Sequence, residues 1–249
     1  MLKQSDFEEL KKFDAPTICN AIEFFGTRPK TSGFMNTAIK KVFHNSKRTV
    51  GYACTAKVSA THPPSKNLLE SYYEQVHASP KPVISIIQDI DPYPIGSLWG
   101  EVQATVHLAL GCAGVVTSGG VRDLDEVEAL GFEYYSACIL VSHAYIHVVE
   151  TGGIVDVGGL AIKPGELVFA DKHGVVVIPD EVAPYLAEAC QAAADAEIPV
   201  LSNCRGFFGK SFHGEPVPME DLMKWRAEVA KRRGEAAEKF TKLLKNPAG

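Results

Sequence analysis

The sequence predicts an α/β protein, and three observations carry that expectation. Ala113 to Thr117 is a short β-branched run of the kind shown by a strand buried on both faces. It leads through Gly119-Gly120 into Arg122-Asp123, which open the acid-rich helical turn Leu124 to Leu130 before Gly131. Around this unit, helix-like and strand-like segments alternate, and a β meander follows to residue 178. In α/β proteins the carboxyl end of a strand entering a helix is where ligands sit, so the Arg122-Asp123 turn is the first candidate site.

The elements follow in order. Ser5 and Glu8 have capping-box spacing and Phe7, Leu10 and Phe13 form a stripe, which predicts a helix over 5–13. Asp14-Ala15-Pro16 restarts the chain, and Ile18, Ala21 and Ile22 repeat at helical spacing up to Gly26. Residues 27–48 are turn-rich; Val50 to Val58 reads as a strand, Lys66 to His77 as a helix and Val83 to Gln88 as a compact strand. The run Asp89-Ile90-Asp91-Pro92-Tyr93-Pro94 breaks the pattern. Trp99-Gly100-Glu101 then opens a helix with Val102, Val106, Ala109 and Leu110 on one face, ending at Gly111.

Strands are expected over 132–136, 145–149, 154–157 and 160–162, the last two joined at Gly158-Gly159. Leu167 to Ala170 and Val175 to Ile178 flank the turn Asp171-Lys172-His173-Gly174. An alanine-rich helix runs from Pro179-Asp180 to about Ala196, and a glycine-rich stretch occupies 202–218. Glu220 to Lys245 forms a charged helix whose packing face is Leu222, Trp225, Val229, Phe240 and Leu244.

A chain of 249 residues with a net charge of -5 and no basic run gives no footprint for nucleic acid. The six cysteines form no CxxC pair, which argues against a zinc ribbon or a disulfide framework. The N-terminus is charged where a signal peptide has an apolar core, and no apolar run approaches the roughly 20 residues of a membrane span. A cytoplasmic protein without membrane partners is expected.

Two constellations carry chemistry. The helix N-terminus at Gly100, Glu101, Val102 and Gln103 presents backbone N–H groups suited to a carboxylate. Equally, Gly100 could serve only to let Trp99 pack closely, and Glu101 only to complement the helix dipole. Adjacent side chains are expected to diverge, so Arg122 and Asp123 each need a separate partner: an oxyanion for the arginine fork and a divalent metal for the aspartate. The alternative is an Asp123 that caps its helix and an Arg122 in a surface ion pair. His143, His147 and Glu150 have spacing that could gather a metal, although the segment reads as strand. No phosphate loop of P-loop or dinucleotide type is present, which disfavours a nucleotide-dependent methyltransferase.

Taken together, Trp99-Gly100-Glu101, Ala113-Gly114-Val115-Val116 leading to Gly119-Gly120-Val121-Arg122-Asp123, Gly131-Phe132, and Gly158-Gly159 through Pro164-Gly165-Glu166 to Ala170-Asp171-Lys172-His173-Gly174 and Val175 to Pro179 resemble the RraA-like family. That family includes the class II, metal-dependent 4-hydroxy-4-methyl-2-oxoglutarate aldolases, and the likeness spans roughly residues 50 to 180. It implies an αββα sandwich with a swivelling β/β/α core and terminal helices. It also implies one domain over 1–249, with a helical extension from about 180, assembled as a homotrimer or homohexamer with sites between subunits.

By the resemblance, Asp123 holds Mg²⁺ or Mn²⁺ and Arg122 contacts the oxo group. Gly100, Glu101, Val102 and Gln103 form the segment whose amides hold the pyruvoyl carboxylate, and Glu101 orients the catalytic water. A glutamate from a neighbouring subunit is expected, with Glu197 as its candidate. Asn20, Lys81-Pro82, Ser118 and the stretch 202–217 depart from the family pattern and bear on the distal substrate pocket. The implied activity is metal-dependent retro-aldol cleavage, or decarboxylation, of a 2-oxo acid such as 4-hydroxy-4-methyl-2-oxoglutarate or oxaloacetate, releasing pyruvate. The alternative is a non-catalytic regulator that binds a ribonuclease partner.

Overall fold

A computed structural model describes residues 2–208 and 216–246, which fall into two compact units: residues 32–180, and residues 2–31 with 181–208 and 216–246. In chain order the helices are α1 (Gln4–Leu10), α2 (Ala15–Glu23), α3 (Leu69–Ala78), α4 (Glu101–Ala109), α5 (Leu124–Leu130), α6 (Leu186–Arg205) and α7 (Met219–Lys245). The strands are β1 (Lys40–Lys41), β2 (Thr49–Ser59), β3 (Val83–Asp89), β4 (Cys112–Val121), β5 (Glu133–Ile139), β6 (His147–Thr151), β7 (Val155–Val157), β8 (Leu160–Ile162), β9 (Leu167–Asp171) and β10 (Gly174–Ile178).

The larger unit is the predicted α/β fold. Its main sheet runs β1-β5-β4-β3-β2-β9-β10, with β6 beside the far half of β2. Strands β2, β3, β4 and β5 are mutually parallel, and the crossovers between them carry α3, α4 and α5. Tyr72 and Val76 of α3, Ala104 of α4 and Val127 of α5 cover one face, against Cys54, Val83 and Val115. The β7–β8 hairpin, with Met35 and Ile39, covers the other, against Ile84, Ile86 and Val116. Val115 and Val116 therefore point to opposite cores and are both fully buried, which is why β4 reads as a continuous apolar run. Each contributes roughly 1.5 to 3 kcal/mol by leaving water.

The sheet almost closes on itself. Residues 33–35 bond to β10 (Met35 N–H to the Val175 carbonyl, 3.0 Å; Val177 N–H to the Gly33 carbonyl, 2.9 Å), and then β1 pairs with β5. That crossing segment spans a seam between β10 and β5.

In the helical unit, Phe240 of α7 is fully buried and stacks on Phe24 (6.3 Å) and Phe25 (5.2 Å). Leu222, Trp225, Val229 and Leu244 are only half-buried, while Met219 and Met223 are 67% and 60% exposed. Residues 209–215 of the glycine-rich stretch lie outside the described residues.

Three elements differ from expectation. The N-terminal helix is closed by Lys3 N–H donating to Asp6 (2.7 Å), because the helix starts at Gln4 and puts Asp6, not Glu8, at the capping position. Helix α6 continues through Pro199 to Arg205. The carbonyl that proline leaves without its usual partner, Asp195 O, receives Arg232 Nη1 at 3.4 Å, so the cost of the missing N–H is offset from α7. Strand β4 does not end at Thr117 but continues through both glycines to Val121, with a register shift between Thr117 and Gly120. Neither glycine has positive φ. A Cβ on Gly120 would lie 2.5 Å from the Leu140 side chain, so close packing, not turning, requires it.

His107 of α4 is buried against Trp99 (ring centroids 4.5 Å) and Tyr72 (5.5 Å). Its Nδ1–H donates to the Gln103 carbonyl at 2.7 Å and Nε2 has no partner. Burial pushes its pKa down from 6.5 to about 4, since a proton on Nε2 would have nothing to bond. Between these values the unfolded chain takes up a proton that the fold refuses, so stability falls as pH drops from 6.5 toward 4, by up to about 3 kcal/mol. Asp89, pushed up to about 6, acts in the opposite direction. Urea midpoints of wild type and His107→Phe from pH 7 to 4.5 isolate the histidine: wild type should lose stability relative to the variant as pH falls, and parallel curves would contradict it.

Candidate active site

The start of α4 is fastened to the end of β4. Trp99 forms a parallel bridge with Val121, and Arg122 N–H donates to the Trp99 carbonyl at 2.9 Å. Ser97, fully buried, places its hydroxyl 2.8 Å from the Gly120 carbonyl and 2.9 Å from that of Trp99, and accepts Trp99 N–H at 3.2 Å. The indole stacks on Phe132 at 5.7 Å.

This junction brings Gly100 against Asp123. A Cβ on Gly100 would overlap Asp123 Oδ2 and lie 3.1 Å from its Cγ. The glycine is therefore required by the approaching carboxylate and not only by packing of Trp99. Asp123 occupies the N-cap position of α5 in a left-handed conformation (φ 54, ψ 51), but its side chain makes no bond to its own helix and so does not cap it. Its carboxylate accepts Glu101 N–H at 3.0 Å instead. The left-handed residue bends the chain so sharply that neighbouring side chains converge: Arg122 Nε lies 3.7 Å from Asp123 Oδ1. The expected divergence of this pair is thus corrected.

A cavity of about 360 Å³ collects Gly100, Val102, Gln103, Arg122 and Asp123 in its wall, together with Asn67, His143 and the apolar Leu69, Leu98 and Ile146. Glu101 is exposed beside it and its side chain is not part of the wall.

The wall is rich in donors. Arg122 Nε is buried without an acceptor, and Nη1 only grazes the Val141 carbonyl at 3.5 Å. Asn67 Oδ1 accepts Leu69 N–H (3.1 Å) and Val148 N–H (3.2 Å), which directs its NH₂ elsewhere. Gln103 Oε1 accepts the Tyr73 hydroxyl at 2.8 Å, again leaving the NH₂ to donate. Among the described residues, Asp123 is the one carboxylate lining the cavity.

Other candidates separate. His147 is buried and its Nδ1–H donates to the Tyr145 carbonyl (2.8 Å), Glu150 pairs with Lys57 (2.9 Å) and His143 joins the cavity. Among the described residues no three His, Cys, Asp or Glu side chains gather as a metal site. Glu197 lies on α6 of the helical unit, 3.6 Å from Arg233. Ser97, Asn67 and Tyr73 carry no motif, and only the register of the folded chain brings them here. Asp89, at the end of β3, buries an unpartnered Oδ2 beside Gly119, outside this cavity.

An α/β fold whose parallel strand ends in an Arg-Asp turn held against a helix N-terminus has its candidate site where α/β proteins place ligands, at a strand's carboxyl end. The chain belongs to the RraA-like family, described as Aldolase/RraA, which it matches over residues 13–177. It is 30% identical over 182 residues to a protein of Halalkalibacterium halodurans named provisionally as a 4-hydroxy-4-methyl-2-oxoglutarate aldolase, covering 72% of this chain and 80% of the relative. Two solved structures share the fold. An uncharacterized protein of Pseudomonas syringae pv. tomato has a TM-score of 0.66 at 20% identity, covering 91% of this chain and 94% of the other. RraAS2 of Streptomyces coelicolor, an unusual member of the RNase ES inhibitor RraA family, has 0.64 at 20% identity, covering 81% and 97%.

The left-handed Asp123 has a measurable consequence. Asp123→Gly and Asp123→Ala both delete the carboxylate, but alanine retains the left-handed penalty that glycine escapes. Asp123→Gly should be more stable than Asp123→Ala by about 1 kcal/mol in urea unfolding; equal stabilities would show that the turn relaxes.

Proposed function

We propose that the chain is a divalent-metal-dependent lyase that cleaves a 2-oxo acid, such as 4-hydroxy-4-methyl-2-oxoglutarate or oxaloacetate, and releases pyruvate. The observation that carries this reading is the convergence of the Arg122 guanidinium, the first amides of α4 and a single carboxylate, Asp123, on one donor-rich cavity. Such a wall suits a substrate whose oxygens are nearly all acceptors.

Asp123 fits a weakly held cation. Its Oδ2 is fixed by Glu101 N–H, its Oδ1 faces Arg122 Nε at 3.7 Å without a hydrogen bond among the described residues, and a lone carboxylate with waters and substrate oxygens is a common Mg²⁺ arrangement. A bound Mg²⁺ or Mn²⁺ would polarise the 2-oxo acid as a Lewis acid. Glu101 N–H is engaged by Asp123, so the amides left for the substrate carboxylate are those of Val102 and Gln103, which have no intrahelical partner in the first turn. Glu101, exposed at the edge, takes up the C4 hydroxyl proton through a water. Breaking C3–C4 then leaves the electron pair on the pyruvate enolate, whose negative oxygen the Arg122 guanidinium stabilises; decarboxylation of oxaloacetate arrives at the same enolate. Asn67, Gln103 and His143 bind the remaining oxygens.

Pyruvate release from a panel of 2-oxo acids tests this reading. Metal depletion should abolish it and Mg²⁺ or Mn²⁺ restore it. Arg122→Lys, which replaces a planar fork with a point charge, should lower kcat by roughly 10²-fold with an unchanged melting curve. Wild-type turnover in that variant removes Arg122 from the mechanism. A panel without any pyruvate release rejects the enzyme and leaves the regulator.

Assembly belongs to the same proposal. Tyr93, Ile139, Val141 and Tyr145, on loops after β3 and at and beyond the end of β5, are 72%, 60%, 93% and 55% exposed, more apolar surface than a lone subunit ordinarily shows. A homotrimer or homohexamer covering them, in a cytoplasmic setting, would complete the site with a neighbour's glutamate. Light scattering at micromolar concentration should give three or six subunit masses; a monomer contradicts this.

A further inference from the structure

A second cavity, of about 640 Å³, opens at the seam of the sheet, between the segment 37–46 and the β9–β10 turn. We propose that it binds a small multivalent oxyanion through Lys40, His44 and Lys172.

The argument rests on charge. Among the described residues, no Asp or Glu lines the cavity. Of the two acids just behind its wall, Glu133 has a 5% exposed side chain and faces Lys41 at 3.1 Å and Lys47 at 3.7 Å. Asp171 has a 4% exposed side chain, accepts His173 N–H at 2.7 Å and pairs with its ring at 3.2 Å. Lys41 is not available to a ligand: its ammonium, 2% exposed, donates to Asn45 Oδ1 and to the Lys47 carbonyl, each at 2.6 Å, besides facing Glu133. That buried knot holds the loop in shape. Lys40, His44 and Lys172 remain exposed, and none has a counter-charge among the described residues. In a chain of net charge -5, two ammonium groups and an imidazole around an acid-free concavity create a local positive field that a multivalent anion neutralises. The volume is that of a small-molecule pocket.

The cavity is separate from the candidate active site. Lys41 registers with Tyr135 near the start of β5, and Thr49 at the start of β2 registers with Ala170, so the cavity lies at the amino ends of the parallel strands. Arg122 and Asp123 follow the carboxyl end of β4, whose ten residues span roughly 30 Å. The two cavities share no residue.

Calorimetric titration with pyrophosphate and with citrate distinguishes a phosphate from a polycarboxylate source. It uses metal-depleted full-length Arg122→Ala protein, so that the candidate active site contributes neither metal nor guanidinium. Saturable binding of at least one probe is expected, weakened tenfold or more by Lys40→Glu with Lys172→Glu. If that pair unfolds, Lys40→Ala and Lys172→Ala, each at an exposed position, should each weaken binding about threefold. Absence of saturable binding by both probes at millimolar concentration, or an affinity unchanged by the substitutions, overturns the proposal.

Discussion

The junction between Trp99 and Val121 is the constraint on which the candidate active site depends. A parallel bridge, the Arg122 N–H bond to the Trp99 carbonyl and the shared hydroxyl of Ser97 close a loop from residue 99 to residue 121. That loop contains α4 and all of β4, so helix and strand are positioned by one set of buried bonds. Buried polar groups without partners cost about 1–3 kcal/mol each, and Ser97 limits that cost by accepting Trp99 N–H while its single proton is shared between the Gly120 and Trp99 carbonyls. Once the junction forms, Gly100 and Asp123 must meet, and only a residue without a Cβ allows the carboxylate in.

What the junction builds is strained and polar. Asp123 occupies a left-handed conformation that costs a non-glycine residue about 1–2 kcal/mol, and backbone strain of this kind collects at functional sites. The strain has a specific product: it turns the aspartate away from capping α5 and toward the first amide of α4, beside the guanidinium of Arg122. The helix dipole of α4 and the arginine together favour a negative charge there, and one carboxylate satisfies only part of that field.

The fold was legible where burial is two-sided or where turn chemistry is unambiguous. Strands β3 and β4 announce themselves because both faces meet a core, and Gly158-Gly159, with φ of 59 and 72, closes its hairpin as that dipeptide should. The Arg122-Asp123 turn stood out in the sequence as a candidate site because its residue types are costly to place without partners. Contacts that depend on register were hidden. Leu140 against Gly120, Arg232 covering the carbonyl exposed by Pro199, and Tyr73 orienting Gln103 join positions that no local pattern relates. The direction of the Arg122 and Asp123 side chains was misjudged for the same reason, since a left-handed aspartate leaves no signature in composition or periodicity.

The seam illustrates how an acidic chain can hold basic concavities. A sheet closed all the way round would pair β10 with β5; here residues 33–41 cross between them, and the loop that follows must be anchored without the help of a ladder. The anchor is Glu133, 92 residues from Lys41 in sequence, buried with that lysine and with Asn45 at 3.3 Å. Burying a carboxylate is tolerable only with such partners, and the partners it recruits are lysines from the segment that walls the cavity. Because Glu133 and Asp171 face inward to their own cations, neither reaches the cavity to cancel Lys40 and Lys172. The positive field at the amino ends of the strands is thus a by-product of how the seam is sealed, as the one at the carboxyl end is of how α4 is fastened to β4.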